Sequence, residues 1–161
     1  MIDLTAIRTA IVKGLKSELG IPVILSNQAA EAPSYPYVSY TITTLMHSEN
    51  GTWGEYEDGR HRKPFTQIWS ITVQSDEVNE AMEFCIKARD WLDHTGSSYL
   101  YNKNIIVQSV TGIHNRDNLI TLEYEYRCGF DVVLWFLNET DNLLESKGTI
   151  EEIDIKNTIT S

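Results

Sequence analysis

Two carboxylates one residue apart, Glu123 and Glu125, followed by Arg127, are the arrangement in this 161-residue chain whose types and spacing best suit chemistry. Alternate residues of a β-strand share a face, so the three would stand side by side, as acid/base catalysis in a small hydrolase would need. The same pattern also describes a cross-strand ion-pair surface, in which an exposed pair contributes only about 0–1 kcal/mol. The second reading is preferred, and the first is kept as the alternative from another class. His47, His61, His94 and His114 each fall in a predicted loop or at a helix end. None has a second His four residues on or a carboxylate at metal-ligand spacing, so no metal site is expected. No phosphate-binding glycine loop and no nucleophile elbow occur, and no cofactor is implied. Cys85 and Cys128 lie inside periodic apolar patterns and read as buried thiols.

Charge narrows the partners. The formal net charge of -10 disfavours nonspecific binding to a phosphate backbone, which is drawn to clustered Lys and Arg. The one basic cluster, Arg60, His61, Arg62 and Lys63, reads as an exposed loop, although with Trp53 it also defines a nucleic-acid-binding alternative. An acidic wall has a use of its own, since DNA does not adhere to it. The 42% hydrophobic content supports one sizeable core, and no membrane-length apolar run or leader pattern is present. The composition reads as soluble and intracellular.

The carboxylates belong to the longest pattern in the chain. From Ile120 to Phe136 every second residue is apolar, through Leu122, Tyr124, Tyr126, Cys128, Phe130, Val132 and Leu134. That period of two predicts one strand with a buried face. Seventeen residues would span roughly 55 Å, against a radius of gyration of about 15 Å for a compact chain of this size. The strand must therefore bend, with Gly129 the natural place, or project from the body. Val133 and Trp135 make its last part apolar on both faces and predict a central position, whereas Glu123, Glu125 and Arg127 are expected exposed on a projecting part. A run with Ile105, Val107, Ser109 and Thr111 on one face, then a turn at His114–Asn118, predicts its hairpin partner.

The other elements follow from spacing. Asp3 caps a helix in which Leu4, Ile7, Ile11, Leu15 and Leu19 form a stripe before Gly20. Pro33 and Pro36 stiffen the entry to a strand in which Val38, Tyr40 and Ile42 share a face. Residues 47–64 form the longest irregular stretch, and Trp53 and Tyr56 mark it as a contact surface. Phe65, Trp69, Ile71 and Val73 face inward on the next strand. Asp76 caps a second helix with the stripe Val78, Ala81, Met82, Cys85, Ile86, Ala88, Arg89 and Leu92, ending near Gly96. Asn138 to Asn142 is a polar break, and a tail follows with a last alternation at Ile150, Ile153, Ile155 and Ile159.

Three segments carry more than periodicity. Pro33-Ser34-Tyr35-Pro36-Tyr37-Val38-Ser39-Tyr40, the turn Asn115-Arg116-Asp117, and Glu125-Tyr126-Arg127-Cys128-Gly129-Phe130-Asp131-Val132 resemble the phage neck or tail terminator family. The order of elements is similar as well, over roughly residues 1 to 136. The resemblance implies an α+β fold: a mainly antiparallel sheet with two α-helices packed on one face and a long projecting C-terminal hairpin. It implies a structural virion protein, assembled in the host cytoplasm, that forms a ring, usually a hexamer, at the head-proximal end of the tail. Such a ring ends tube growth and meets the tail tube protein on one side and the head connector or head-completion protein on the other. DNA passes through without specific binding, and no membrane is involved. Another virion joining part, such as a head-completion or minor tail protein, is the nearest alternative.

Under this reading residues 1–137 form one domain, and residues 138–161 form a tail available as an added strand on a neighbouring subunit. The residues expected at subunit or partner interfaces are Trp53, Tyr56, Arg60, Arg62, Arg116, Asp117, Glu123, Glu125 and Arg127.

Overall fold

Apolar stripes at helical and strand periods have to bury one face each, and the described residues do this with three α-helices packed against a sheet. The structure is a computed structural model and describes residues 2–48, 55–57, 60–120 and 123–141. Helix α1 (Leu4–Leu19) starts at Asp3, whose carboxylate accepts from the Ala6 N–H at 3.0 Å. It stops at Gly20, which sits at φ 68° and donates its N–H to Lys16 O. A left-handed φ of that kind suits glycine. Both termini match the sequence reading.

Five strands lie side by side in the order β1 (Val23–Leu25), β2 (Tyr37–His47), β4 (Arg60–Ser75), β8 (Glu123–Asp141) and β5 (Ile106–Val110). The short strands β3 (Glu55–Glu57), β6 (His114–Asn115) and β7 (Asn118–Ile120) add to β4, β8 and β8 respectively. Among the described strands only β1 with β2 is parallel, so the sheet is mixed but mostly antiparallel and the fold is α+β. Strand β8 is an interior strand, next to the edge: it pairs with β4 from Ser75↔Tyr126 to Arg60↔Asp141 and with β5 on its other side. The ladder runs unbroken through Thr72↔Gly129, so no register change marks the glycine.

One face of the sheet carries the core. Trp69, Ile71, Val73, Phe130, Val132 and Leu134 are fully buried there against Ile11 and Leu15 of α1 and Ala81, Cys85 and Ala88 of helix α2 (Val78–Asp90). Tyr40 stacks on Trp69 at 4.9 Å, and the Trp69 indole donates to Gln67 Oε1. Gly14 of α1 and Gly96 make room for Trp91; a Cβ at Gly14 would stand 2.4 Å from its ring.

Several predicted boundaries move. Asp76 does not cap α2: Glu77 holds the N-cap position without a side-chain bond, while the Ser75 hydroxyl accepts from Glu77 N–H and bonds to Glu80. After a π turn at Trp91–Thr95 comes a third helix, α3 (Ser97–Asn102), an element the sequence reading, which ended the second helix near Gly96, does not contain. The basic cluster Arg60–Lys63 is not a loop either, because it opens β4, paired to β3 and to the end of β8. The polar residues Asn138 to Asp141 continue β8 instead of ending it. At the other end β8 begins at Glu123, and Ile120 lies in the antiparallel partner β7.

Candidate functional site

The face of the sheet away from the helices is polar at one end, and all three segments of the family resemblance meet there. Tyr35 belongs to the loop between β1 and β2, follows the register of neither strand, and is joined to Pro36 by a cis peptide. Its hydroxyl donates to Glu125 Oε2 at 2.5 Å, and its ring stacks on Tyr37 with centroids 5.8 Å apart. The other carboxylate oxygen of Glu125 accepts from Arg127 Nε. Glu125 is therefore only 5% exposed. A buried carboxylate needs donors of this kind, since an unpaired one is costly. The expectation that Glu125 is exposed is thus corrected, because strand parity placed it on the outer face but could not show that Tyr35, ninety residues earlier, covers it. The hydrogen bond to Glu125 pushes the Tyr35 phenol up to about 12, with burial adding to it. Burial, then the charge of Glu125, pushes Tyr37 up as well.

Asn115-Arg116-Asp117 is not the turn of the hairpin but a strap across β8. Arg116 N–H donates to Arg127 O at 2.7 Å, and the Asp117 carboxylate accepts from Arg127 N–H at 2.8 Å. Asn115 holds Asp117 from both sides, through its amide nitrogen at 3.0 Å and its amide oxygen at 2.7 Å. The Arg116 guanidinium then lies over the sheet. Its Nη1 donates to Ser70 Oγ and Thr72 Oγ1, each at 2.8 Å, and its Nη2 meets Asp131 Oδ1 at 3.3 Å. Gly129 is what permits this: a Cβ there would stand 2.5 Å from Arg116 Nη1 and 2.7 Å from Ile71 O. The glycine expected to bend the strand instead leaves space for an arginine.

Of the residues expected at an interface, the structure brings together Arg116, Asp117, Glu125 and Arg127. Tyr56 and Arg60 lie at the far end of the β3–β4 ribbon, with Tyr56 opposite His61 and Arg60 opposite Asp141. Arg62 is half-buried on the same ribbon, and Glu123 pairs with Ile120 beside the end of β8. Trp53 lies outside the described residues. Tyr35, Gly129, Asp131, Ser70 and Thr72 complete the cluster; the first three stand inside the resembling segments, but nothing local in the sequence pairs them. A cavity of about 300 Å³ opens beside the cluster, between the loop after β1 and Tyr37, Ser39, Gln74 and Arg127. Among the described residues no group of three or more His, Cys, Asp or Glu is placed to hold a metal ion. No helix there is long and apolar enough to cross a membrane.

The sequence profile of the phage neck terminator protein family matches residues 5–161. The chain belongs to that family. Membership makes this neck terminator protein a structural component of the phage virion, and the match takes in the tail beyond Asn138, further than the resembling segments reach. No curated protein matches the sequence. Among solved structures, one is similar over 86% of this chain and 97% of its own length, at 12% identity and a TM-score of 0.39. In the neck terminator the polar cluster ties the loop that carries Tyr35 and the segment Asn115–Asp117 to strand β8.

Proposed function

We propose that the protein assembles as a ring, a hexamer, at the head-proximal end of the phage tail, where it ends tube growth and presents a docking face to the head connector. The observation that carries this is the convergence of the three family segments on one polar cluster around the buried Glu125, in a chain that the family profile spans almost completely. A part that must seat on two different assemblies needs a stiff face. Tyr35, Arg116 and Asp117 supply it by fixing a loop and a strap to the sheet with charge-assisted bonds. The net charge of -10 per copy suits a lumen through which DNA passes without binding, because like charge keeps the genome off the wall. The tail tube protein and the head connector or head-completion protein are the partners, and host cytoplasm is the place of assembly.

Native mass measurement together with electron microscopy of the protein mixed with tail tubes tests this. A closed ring on the head-proximal tip supports it, and a chain that stays monomeric and never joins a tube overturns it. The hydrolase alternative makes its own demand on the buried carboxylate. Glu125 is already committed to Tyr35 and Arg127, so Glu123→Gln with Glu125→Gln is expected to lower stability and leave no catalytic activity to lose.

A further inference from the structure

Strand β1 covers only the first part of β2, from Val38 to Tyr40. Val38 N–H donates to Pro22 O and Tyr40 O accepts from Ser26 N–H, each at 2.8 Å, so both residues turn their backbone groups to this edge of the sheet. Ile42 is next in the same phase, and from there to His47 no strand among the described residues lies on that side. Leu45 and Met46 on this stretch are 56% and 50% exposed. An open edge is a template for an added strand. Helix α1 flanks it, and a groove of about 410 Å³ opens between Thr5, Arg8, Thr9, Val12 and Lys13 of the helix and Tyr40 of β2. The flank is cationic, because α1 carries Arg8, Lys13 and Lys16 against a single carboxylate, Glu18. Among the described residues none of these three cations has an ion pair. The Arg8 guanidinium meets the Tyr40 hydroxyl at 3.2 and 3.3 Å, and Lys13 and Lys16 are exposed.

We infer that this edge of β2 receives an added strand from the C-terminal tail of a neighbouring copy, residues 149–155. That segment, which lies outside the described residues, holds Ile150, Ile153 and Ile155 with Glu151, Glu152 and Asp154 and no cation. In a strand Glu152 and Asp154 share one face and Ile153 and Ile155 the other, so the carboxylates can turn to Arg8 and Lys13. Charge selects the occupant: an acidic tail meets the uncompensated cations of α1 in a chain of net charge -10. Reach selects the copy. Through Thr66, His47 is level with Trp135, and β8 runs on from there to Asp141, roughly 20 Å. A strand added to β2 stands three strand spacings from β8, roughly 14 Å, so the direct path is roughly 25 Å. Residues 142–148 span roughly 26 Å at full extension, which leaves no chain to turn back onto its own β2. A neighbour's β2 imposes no such limit. Donor tail and acceptor edge differ, so the contact is heterologous and repeats from copy to copy. This rests on the ring reading above and names the link between its subunits.

Cysteine cross-linking separates the possibilities. Thr9→Cys places a thiol at an exposed position of the groove and Asp154→Cys places one on the tail, while the native thiols Cys85 and Cys128 are buried. Assemblies formed on tail tubes from an equal mixture of the two full-length variants, treated with a short bismaleimide, are expected to yield a dimer that joins one of each. Assemblies of either variant alone are expected to yield none. In parallel, Glu152→Lys with Asp154→Lys is expected to weaken assembly at least tenfold while the monomer keeps its unfolding midpoint. Adding Lys13→Glu and Lys16→Glu to that chain is expected to restore most of the loss. Rings that form without the mixed dimer, a cross-link found only within single chains of the doubly substituted protein, or lysine variants that assemble like the wild type overturn the inference and leave the ring reading standing. A wild-type chain that does not assemble overturns both.

Discussion

Replacing Gly129 with alanine adds only one carbon and two hydrogens to an interior strand, yet the geometry makes it one of the more damaging changes available. The new Cβ would stand 2.5 Å from Arg116 Nη1, 2.7 Å from Arg116 Cζ and 2.7 Å from the carbonyl oxygen of Ile71. The guanidinium can swing away, but the carbonyl is part of the β4 backbone that pairs with β8 on either side of the glycine. Swinging away forfeits two 2.8 Å bonds to the hydroxyls of Ser70 and Thr72 and the contact with Asp131 at 3.3 Å. A hydrogen bond to a charged group is worth about 1.5 kcal/mol at the lower end, and a partly exposed ion pair below about 1 kcal/mol.

Arg116 is itself 28% exposed, so water recovers part of the loss. A net cost of about 2 kcal/mol for the arginine contacts, plus about 1 kcal/mol for crowding at Ile71, is the expected total for Gly129→Ala. At about 2–4 °C per kcal/mol for a chain of this size, the midpoint of thermal unfolding should fall by about 6–12 °C. Urea unfolding of the wild type, Gly129→Ala, Arg116→Ala and the double variant closes the cycle. With Arg116 removed, Gly129→Ala should cost about 2 kcal/mol less than it does in the wild type. A Gly129→Ala variant within about 0.5 kcal/mol of wild type, or a cycle that adds up, would refute the account of this glycine.

Four further outcomes follow from the same structure. Tyr35→Phe leaves Glu125 buried with Arg127 as its remaining side-chain donor and should cost about 1–3 kcal/mol, with faster hydrogen exchange in the loop of residues 26–36 as the local readout. Because folding raises the Tyr35 phenol to about 12 from an ordinary value near 10, its contribution is complete below pH 10 and is lost as the pH rises towards 12. Stability of the wild type should therefore fall more steeply than that of Tyr35→Phe in that window, measured by urea titration. Gly14→Ala pushes a methyl into Trp91 and Tyr99 and should lower stability by about 1–3 kcal/mol with a change in tryptophan fluorescence. Burial pushes the Cys85 thiol up to about 12 and raises Cys128 too, so neither should react with a thiol reagent at pH 8 until urea unfolds the chain.

The apolar rhythm from Ile120 to Phe136 reads as one strand, and from Glu123 onward it is one, with Val133 and Trp135 in the part flanked on both edges, whereas Ile120 lies in the partner strand β7. Asp3 and Gly20 likewise fixed both ends of α1, because capping is decided by residues within one turn. What escaped the sequence depends on contacts between distant segments. Gly129 resembles a bend until Arg116, thirteen residues earlier, is seen lying across it. Glu125 looks solvent-exposed by parity, and only the loop that carries Tyr35 makes it buried. In α2 the sequence stripe was broader than the face the sheet can cover, so Met82 and Ile86 read as core although they are about half exposed. Arg60 to Lys63 failed for the opposite reason: polar residues at the start of β4 are paired by backbone bonds, to which side-chain type gives little clue.

The central claim is that this neck terminator protein closes into a ring on the tail. Native mass spectrometry of the complex recovered from tail tubes, with electron microscopy of the same sample, measures it most directly. The account predicts six copies in a closed ring, confined to the head-proximal tip of each tube. Tubes that carry single copies, copies scattered along their length, or no bound protein at all would contradict it.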